Sequence, residues 1–75
     1  MYAYVLVSLG VPEEEAVLED FLDLKNVEEG HILFGEWDIL LKIKCENAES
    51  VAQFVIDKIR SRDEVHLTST LIVAK

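Results

Sequence analysis

Cysteine, basic residues and long apolar runs are all scarce in this sequence. Cys45 is the single cysteine among 75 residues, which excludes an intramolecular disulfide and a cysteine-cluster metal site. Seven lysines and arginines stand against fifteen acids, and the net charge of −8 repels phosphate backbones, so we expect no direct contact with nucleic acid. No apolar run approaches the ~20 residues of a membrane span, and no basic start precedes an apolar segment. We therefore expect a cytoplasmic protein without membrane contact.

The length and the apolar content bear on stability and assembly. Seventy-five residues suffice for one domain, which we take to span residues 1–75. A core of this size supplies only about 3–5 kcal/mol of stability. Disulfides and cysteine-bound metals are excluded and 51% of the residues are hydrophobic, so we expect oligomerisation to stabilise the chain further.

Acidic residues concentrate in the first half of the chain. Residues 1–38 hold ten acids and one base, whereas residues 39–75 hold five acids and six bases. Pro12 suits the first position of a helix, and Glu13–Glu15 would then occupy the first turn, where the helix dipole favours negative charge. Apolar residues recur behind them at helical spacing. We therefore interpret the acids as a solvated helix face and not as a metal site.

Four β-rich segments alternate with two helical ones. The strands are predicted at Tyr2–Leu9, Val27–Gly35, Trp37–Cys45 and Glu64–Ala74. The second helix is predicted from an Asn47 N-cap to about Arg60, and Gly30 is expected to mark a bulge. Two βαβ halves joined by a hairpin give an α+β, ferredoxin-like βαββαβ sandwich. Its four-stranded antiparallel sheet carries both helices on one face.

The other face of this sheet is left open, and strand alternation predicts its residues. Asp38, Leu40 and Lys42 share a mixed face of the third strand. On the last strand we assign to the same open side His66, Thr68, Thr70, Ile72 and Ala74. With Tyr2 and Tyr4 added, this surface is too apolar for water, and we expect two sheets to pack face to face in a dimer.

Two polar motifs are candidates for binding a small molecule. Gly35-Glu36-Trp37-Asp38 forms the tip of the predicted hairpin, and Thr68-Ser69-Thr70 interrupts an apolar strand with three hydroxyls. Alternation predicts Thr68 and Thr70 on one face and Ser69 on the other, so the three hydroxyls are not expected to reach one ligand. Other roles remain open: Asp38 would also serve to cap the turn, and Trp37 would also serve as a core or interface aromatic.

These motifs resemble those of a known family. GEWDILLKI at residues 35–43, FVIDKI at 54–59 and TSTLIV at 68–73 resemble the ligand-binding domain of the Lrp/AsnC transcription regulators, also called RAM for regulation of amino acid metabolism. The resemblance covers essentially the whole chain, although the family usually has tyrosine or phenylalanine at Trp37. Full-length members carry an N-terminal helix-turn-helix domain that binds DNA. This chain begins at the first strand and so resembles a stand-alone form without that domain.

The resemblance implies an amino-acid-binding and oligomerisation module linked to transcription regulation of amino acid metabolism. It implies dimers of facing sheets that assemble further into tetramers or octamers, effectors bound between subunits, and full-length regulators of the family as partners. Asp38 would bind the ligand ammonium, and loop amides would bind its carboxylate. The implied ligand-binding residues are Gly35, Glu36, Trp37, Asp38, Thr68, Ser69 and Thr70. No cofactor, metal or catalytic residue is expected.

Two other functions compete with this one. A purely structural oligomerisation domain would keep the assembly and bind no ligand. A small cofactor-independent enzyme of the dimeric α/β-barrel type would need a histidine or acid in a roomy cavity. The helix-facing side of the sheet is predicted to be solidly aliphatic, and we interpret His31 and His66 as surface or interface residues. We therefore predict that the chain is not an enzyme.

Overall fold

The computed structural model describes all 75 residues, and its elements follow the predicted order. They are β1 (Tyr2–Leu9), α1 (Glu14–Leu22), β2 (Val27–Ile32), β3 (Ile39–Lys44), α2 (Ala48–Phe54) and β4 (Val65–Ile72). The strands form one antiparallel sheet in the order β2-β3-β1-β4, which confirms the ferredoxin-like sandwich. Neither helix has the length and apolar character that crossing a membrane requires.

The hydrophobic core lies between one face of the sheet and the two helices. Alternate residues of the central strands are fully buried, namely Ala3, Val5, Val7, Ile39, Leu41 and Ile43. Phe21 is the largest fully buried side chain, and α1 places it against the sheet together with Val17. No polar side chain is buried in this core, so its stability rests on apolar packing.

The first helix begins two residues later than Pro12, so the prediction that Pro12 takes the first helical position is wrong. The chain turns after β1, where the Gly10 N–H donates to the Glu64 carbonyl at 2.8 Å. Glu13 is the N-cap residue, and its carbonyl accepts the first helical hydrogen bond from the Val17 N–H at 3.1 Å. Pro12 therefore belongs to the turn. Glu14 and Glu15 still lie in the first turn, as the helix dipole favours.

The second helix starts at the predicted cap. The Asn47 side chain accepts a hydrogen bond from the Ser50 N–H at 2.8 Å, and the Ser50 hydroxyl accepts one from the Asn47 N–H at 3.0 Å. This reciprocal capping box satisfies two donors that a helix start leaves without partners. After Phe54 the helix continues as a π-helical turn over Val55–Ile59, closed by the Arg60 N–H donating to the Val55 carbonyl at 2.8 Å.

Gly30 does not mark the bulge of β2. The pairing with β3 is irregular just before it, between Val27 and Glu29, whereas Gly30 pairs regularly with Leu41. A Cβ atom at Gly30 would lie 2.8 Å from Leu18 Cδ1 and 2.9 Å from Leu41 Cδ2. The glycine therefore allows α1 to pack closely on the sheet, which is a requirement of tertiary packing and not of strand geometry.

The assignment of β4 to the two sheet faces is the reverse of the prediction. Thr68, Thr70 and Ile72 pair with the buried residues Val7, Val5 and Ala3 of β1, and directly paired residues lie on the same face. These three β4 residues therefore face the helices. Leu67, Ser69 and Leu71 pair with Ser8, Leu6 and Tyr4 and lie on the open face. The register with β1 decides the faces, and the polarity of β4 alone does not.

The open face of the sheet is a mixed but largely apolar surface. Tyr2, Tyr4 and Leu6 of β1 are half-buried there, and Lys42 of β3 places its Nζ 4.7 Å from the centre of the Tyr2 ring. On β4, Leu67 and Leu71 are each more than half exposed. Apolar side chains in this number on one face are typical of a surface that another protein covers.

Arg62 joins both helical segments to the start of β4. Its guanidinium donates to Asp20 Oδ2 at 2.8 Å and to Glu64 Oε2 at 3.0 Å, and it lies 5.7 Å from the centre of the Phe21 ring. The hydrogen bond from Arg62 lowers the pKa of the Glu64 carboxyl, and the bond to Glu64 raises the pKa of Arg62.

Glu64→Gln should reduce the sensitivity of folding to acid. The pKa of Glu64 in the folded chain lies below its ordinary value of 4.5. The stability that the ionised carboxyl contributes is therefore complete above pH 4.5 and is lost as the pH falls through the folded pKa. Thermal melts should show the wild type more stable than the variant at about pH 7, and the two curves converging towards about pH 3. Glu46→Gln, at an exposed acid without an ion pair, is the control. A difference for Glu64→Gln that persists unchanged in acid would contradict this role.

Candidate functional site

The hairpin between β2 and β3 carries the first candidate motif. The strands end at Ile32 and begin again at Ile39, so the connection is longer than predicted and comprises residues 33–38. The Leu33 N–H donates to the Asp38 carbonyl at 2.9 Å and closes the loop. Gly35 has φ of +140°, a conformation that side chains rarely adopt, which explains a glycine at this position. We call residues 33–38 the hairpin loop.

Asp38 attaches the hairpin loop to the end of β1. The Leu9 N–H donates to Asp38 Oδ2 at 2.7 Å, and the Asp38 N–H donates to the Val7 carbonyl at 2.9 Å. Oδ1 of the same carboxylate makes no hydrogen bond within the chain. No fully buried side-chain oxygen or nitrogen lacks a partner, so Oδ1 is not completely buried. Asp38 thus anchors the loop with one carboxylate oxygen and leaves the other without a partner in the chain.

Backbone donors accompany this carboxylate in the hairpin loop. The N–H groups of Phe34, Gly35, Glu36 and Trp37 make no hydrogen bond within the chain. Successive unpaired N–H groups in a turn can bind an anion when they point into one concavity. The loop therefore combines an accessible carboxylate oxygen with several unpaired donors, the two kinds of group that a zwitterion requires.

A small cavity lies where the hairpin loop meets the open face. Its volume is about 130 Å³, and it is lined by Ser8, Glu36, Trp37 and Leu67. Ser69 lies on the same face of the sheet, one alternate position further along β4 than Leu67. Of the predicted ligand-binding residues, Gly35, Glu36, Trp37 and Asp38 lie in the hairpin loop. Ser69 lies on the open face, at the side of the sheet where this small cavity is found.

Thr68 and Thr70 lie on the opposite side of the sheet. They line a larger cavity of about 360 Å³ between the second helix and β4, which we call the α2–β4 groove. Its apolar lining consists of Ala48, Val51, Ala52, Val55, Ile56 and Ile72, and Arg60 also lines it. We expected these threonines on the open side of the sheet with Asp38. This prediction is wrong, because both threonines lie on the helix side of the same chain.

The α2–β4 groove was not predicted from the sequence. Ala48 and Ala52 are one helical turn apart, and such small side chains leave space between a helix and a strand. Because β4 is an outer strand, no further element covers it. The two alanines at this spacing were the feature of the sequence from which the groove could have been predicted.

The two histidines are far apart in the sheet. His31 belongs to β2 and His66 to β4, which are its two outer strands. Neither histidine lines any of the cavities described above. The arrangement therefore does not place them together as a proton-transfer pair or as joint metal ligands.

Comparison with known proteins assigns this fold and its motifs to a family. The family described as "Lrp/AsnC ligand binding domain" matches residues 2–75. The chain belongs to the Lrp/AsnC family. Within it, an uncharacterized HTH-type transcriptional regulator of Pyrococcus furiosus, PF0250, is 40% identical over 74 residues, covering 93% of this chain and 49% of that protein. The chain thus spans about half the length of this curated relative, which is described as a transcriptional regulator.

Two solved structures superpose closely on this chain. The crystal structure of FFRP-DM1 has a TM-score of 0.90 at 30% identity, and the match covers 96% of both chains. The transcriptional regulator NMB0573 of Neisseria meningitidis, solved as a complex with L-Met, has a TM-score of 0.81 at 23% identity. That match covers 99% of this chain and 49% of the other, and at such identity it shows the fold alone.

Proposed function

We propose that this Lrp/AsnC domain binds an amino acid and transmits its presence to transcription regulators of the family. The family's description as a ligand-binding domain supports a binding role, and the HTH-type relatives support a link to transcription. The L-Met complex of NMB0573 supports amino acids as the class of ligand to test first. Full-length Lrp/AsnC regulators are the partners through which a domain of this kind would act on DNA.

The observation that carries this proposal is the divided use of the Asp38 carboxylate. Its Oδ2 is held by the Leu9 N–H, which fixes the orientation of the carboxylate before a ligand arrives. Its accessible Oδ1 then accepts a hydrogen bond from the ligand ammonium, a charge-assisted contact stronger than a neutral one. Such preorganisation lowers the entropic cost of binding.

The remainder of the ligand is assigned to the hairpin loop and the open face. The unpaired N–H groups of Gly35, Glu36 and Trp37 bind the ligand carboxylate, and the Trp37 ring and Leu67 contact its side chain. Ser69 lies on the same face and supplies a hydroxyl. These assignments follow from the accessible groups around the small cavity.

The binding site is incomplete in a single chain. A cavity of about 130 Å³ is well below the ~300 Å³ at which typical small-molecule sites begin. A second copy packed against the open face would enclose the remaining volume, because the cavity opens at Leu67 on that face. We therefore propose a dimer of facing sheets in which ligand binding and association are coupled.

Asp38→Asn should weaken amino-acid binding about tenfold or more while leaving the fold intact. The asparagine oxygen still accepts the Leu9 N–H, but the charge that attracts the ammonium is gone, and hydrogen bonds to charged groups contribute about 1.5–3 kcal/mol. Isothermal titration with the twenty amino acids at millimolar concentration identifies the ligand, and the variant is then titrated with it.

Asp63→Asn is the matched control, because it makes the same chemical change at an exposed aspartate without an ion pair. Silence of the wild type towards all twenty amino acids would overturn the sensing role. Equal affinity of the Asp38→Asn variant and the wild type would overturn the role of Asp38.

A purely structural oligomerisation domain is the second candidate. It is favoured by the hydrogen bond that the Asp38 carboxylate already accepts from the Leu9 N–H, which accounts for an aspartate at this position without a ligand. In that case no amino acid would raise the melting temperature, whereas a ligand at 100 times its Kd adds about 2.7 kcal/mol of stability. An enzyme of the dimeric barrel type has less support, since the helix side of the sheet is filled by Ile39, Leu41 and Ile43.

A further inference from the structure

The outer edge of β2 carries backbone groups that no other strand of the chain pairs with. β2 lies at one end of the sheet and has β3 as its only neighbour. Backbone groups alternate in direction along a strand, and the Leu33 N–H donates towards β3, to the Asp38 carbonyl at 2.9 Å. The N–H and C=O groups of Ile32 and Gly30 therefore point to the free edge. Such a row of unpaired groups is a template for another strand.

Apolar side chains beside this edge remain exposed on the helix side of the sheet. Ile32 pairs with the buried Ile39 and so faces the helix side, where it is 45% exposed. Leu22, the last residue of α1, is 44% exposed. A Cβ atom at Gly30 would lie only 3.3 Å from Leu22 Cδ2, so Leu22 borders the edge at the glycine. The edge therefore offers hydrogen-bonding groups and apolar surface together.

Two polar side chains of complementary character flank Gly30 on the other side of the sheet. Glu29 pairs with Lys42 and His31 pairs with Leu40, and all four face the open side. Glu29 and His31 are exposed, and neither forms a salt bridge within the chain. An imidazole N–H can donate to a carboxylate. The other outer strand, β4, contains no acidic residue and offers no such pair.

We propose that β2 of one copy pairs antiparallel with β2 of a second copy, about a twofold axis at Gly30. The two Gly30 residues then exchange N–H···O bonds, and Glu29 of each copy lies opposite His31 of the other. This neighbouring pair is a non-hydrogen-bonded one, in which side chains approach most closely. An axis at Glu29 or at His31 would instead place identical side chains opposite each other. Complementarity therefore selects the register at Gly30.

Pairing in this register also covers the apolar side chains at the edge. Ile32 of one copy lies diagonally across from Gly30 of the other, where the absent side chain leaves room for it beside Leu22. The two sheets join into one continuous sheet of eight strands. Both copies contribute the same residues, so the contact is isologous and closes at two copies. It leaves the open face available for the proposed dimer of facing sheets, and it requires no ligand.

The contact is small, and we expect it only at high protein concentration. One pair of short strands buries less surface than a standard interface. Glu28 and the acids of α1 add repulsion between two chains of net charge −8, which about 0.15 M salt screens beyond about 8 Å. We expect a dissociation constant of about 0.1–1 mM, weaker than that of the proposed dimer of facing sheets.

Light scattering at increasing protein concentration, without any amino acid, tests the association. The weight-average mass of the wild type should rise about 1.5-fold between about 10 μM and about 1 mM, whatever the smallest species. Ile32→Pro removes an N–H that points to the free edge, a change that edge strands tolerate, so its mass should stay constant with an unchanged circular dichroism spectrum. Ile32→Val keeps the N–H and should associate as the wild type does. A constant wild-type mass overturns the proposal, as does a Pro variant that still associates or a Val variant that does not.

Amide hydrogen exchange, followed by nuclear magnetic resonance, locates the contact. The Gly30 N–H should exchange about two- to threefold more slowly at about 1 mM protein than at about 50 μM, because a larger fraction of the edges is paired. The Gly35 N–H is unpaired in the hairpin loop and lies outside β2, so its exchange should not change. Association that leaves Gly30 unprotected occurs elsewhere on the molecule and contradicts the proposal.

Charge reversal tests the register. Glu29→Arg and His31→Glu should each reduce the association at about 1 mM, and the double variant should restore it, with thermal melts confirming that each variant folds. Glu46→Arg, at an exposed acid outside β2, controls for the change in net charge. If the double variant is as weak as either single variant, the register at Gly30 is refuted. Titration of Asp38→Asn is read separately, so the sensing role can fail while this contact stands.

Discussion

Phe21→Ala should unfold most of the chain at room temperature. Phe21 is 1% exposed and is the largest fully buried side chain, lying between the sheet and the Arg62 guanidinium. Truncation of a buried phenylalanine costs about 3–5 kcal/mol, through lost transfer free energy and the cavity left behind. A domain of this size has about 3–5 kcal/mol in total, so little stability would remain.

Urea denaturation followed by circular dichroism measures this loss, and Phe34→Ala is its matched control. The chemical change is the same, but the Phe34 side chain is fully exposed, so the free energy of unfolding should change by no more than about 0.5 kcal/mol. Both variants should be compared at one low protein concentration, because association adds apparent stability. If Phe21→Ala loses less than about 1 kcal/mol, α1 closes around the cavity and the core depends less on this residue than we argue.

Leu71→Asp should separate the proposed dimer into single chains. Leu71 is 55% exposed and lies opposite Tyr4 on the open face, so its substitution leaves the core of one chain untouched. In a face-to-face dimer the new carboxylate would be buried without a partner, at a cost of several kcal/mol. We expect the dissociation constant of the dimer to rise at least about 100-fold, equivalent to about 2.8 kcal/mol.

Thr70→Asp is the control for this prediction, since it places the same charge one residue earlier, on the helix side of β4. Analytical ultracentrifugation should find single chains for Leu71→Asp and at least dimers for Thr70→Asp. The opposite result would mean that β4 presents its other face to the partner. Loss of the dimer in both variants would place the interface at the edge of β4 and not on the sheet face.

The parts of the fold that depend on local signals could be predicted from the sequence. Asn47 caps the second helix through Ser50, only three residues away, and the order of strands and helices follows from apolar periodicity. The Pro12 prediction was wrong because the turn after β1 extends to Glu13, and the start of this turn is held by the hydrogen bond from the Gly10 N–H to the Glu64 carbonyl. That bond joins residues distant in sequence, and no local pattern reports it.

The candidate site likewise combines features with local sequence signals and features that depend on residues distant in sequence. The loop was predicted from its glycine and its polar residues, but the anchoring of Asp38 by Leu9 links positions 29 residues apart. On β4 the two alternating sets have similar polarity, since Leu67 and Leu71 on one side are matched by Ile72 with two threonines on the other. Only the register with β1 distinguishes them, and register is a property of the assembled sheet.

The π-helical turn in the second helix has a consequence for the angular phase of its side chains. Val51, Val55 and Ile59 recur every four residues and are all buried. In a regular α-helix with about 3.6 residues per turn, each such step overshoots a full turn by about 40°, so Ile59 would be rotated some 80° from Val51. The wider turn at Val55–Ile59 reduces this rotation and keeps the three on one side. Deleting one residue from this turn would restore a regular α-helix with seven steps of about 100° between Val51 and Ile59, about 20° short of two full turns, so Ile59 and Arg62 would stay on nearly the same side.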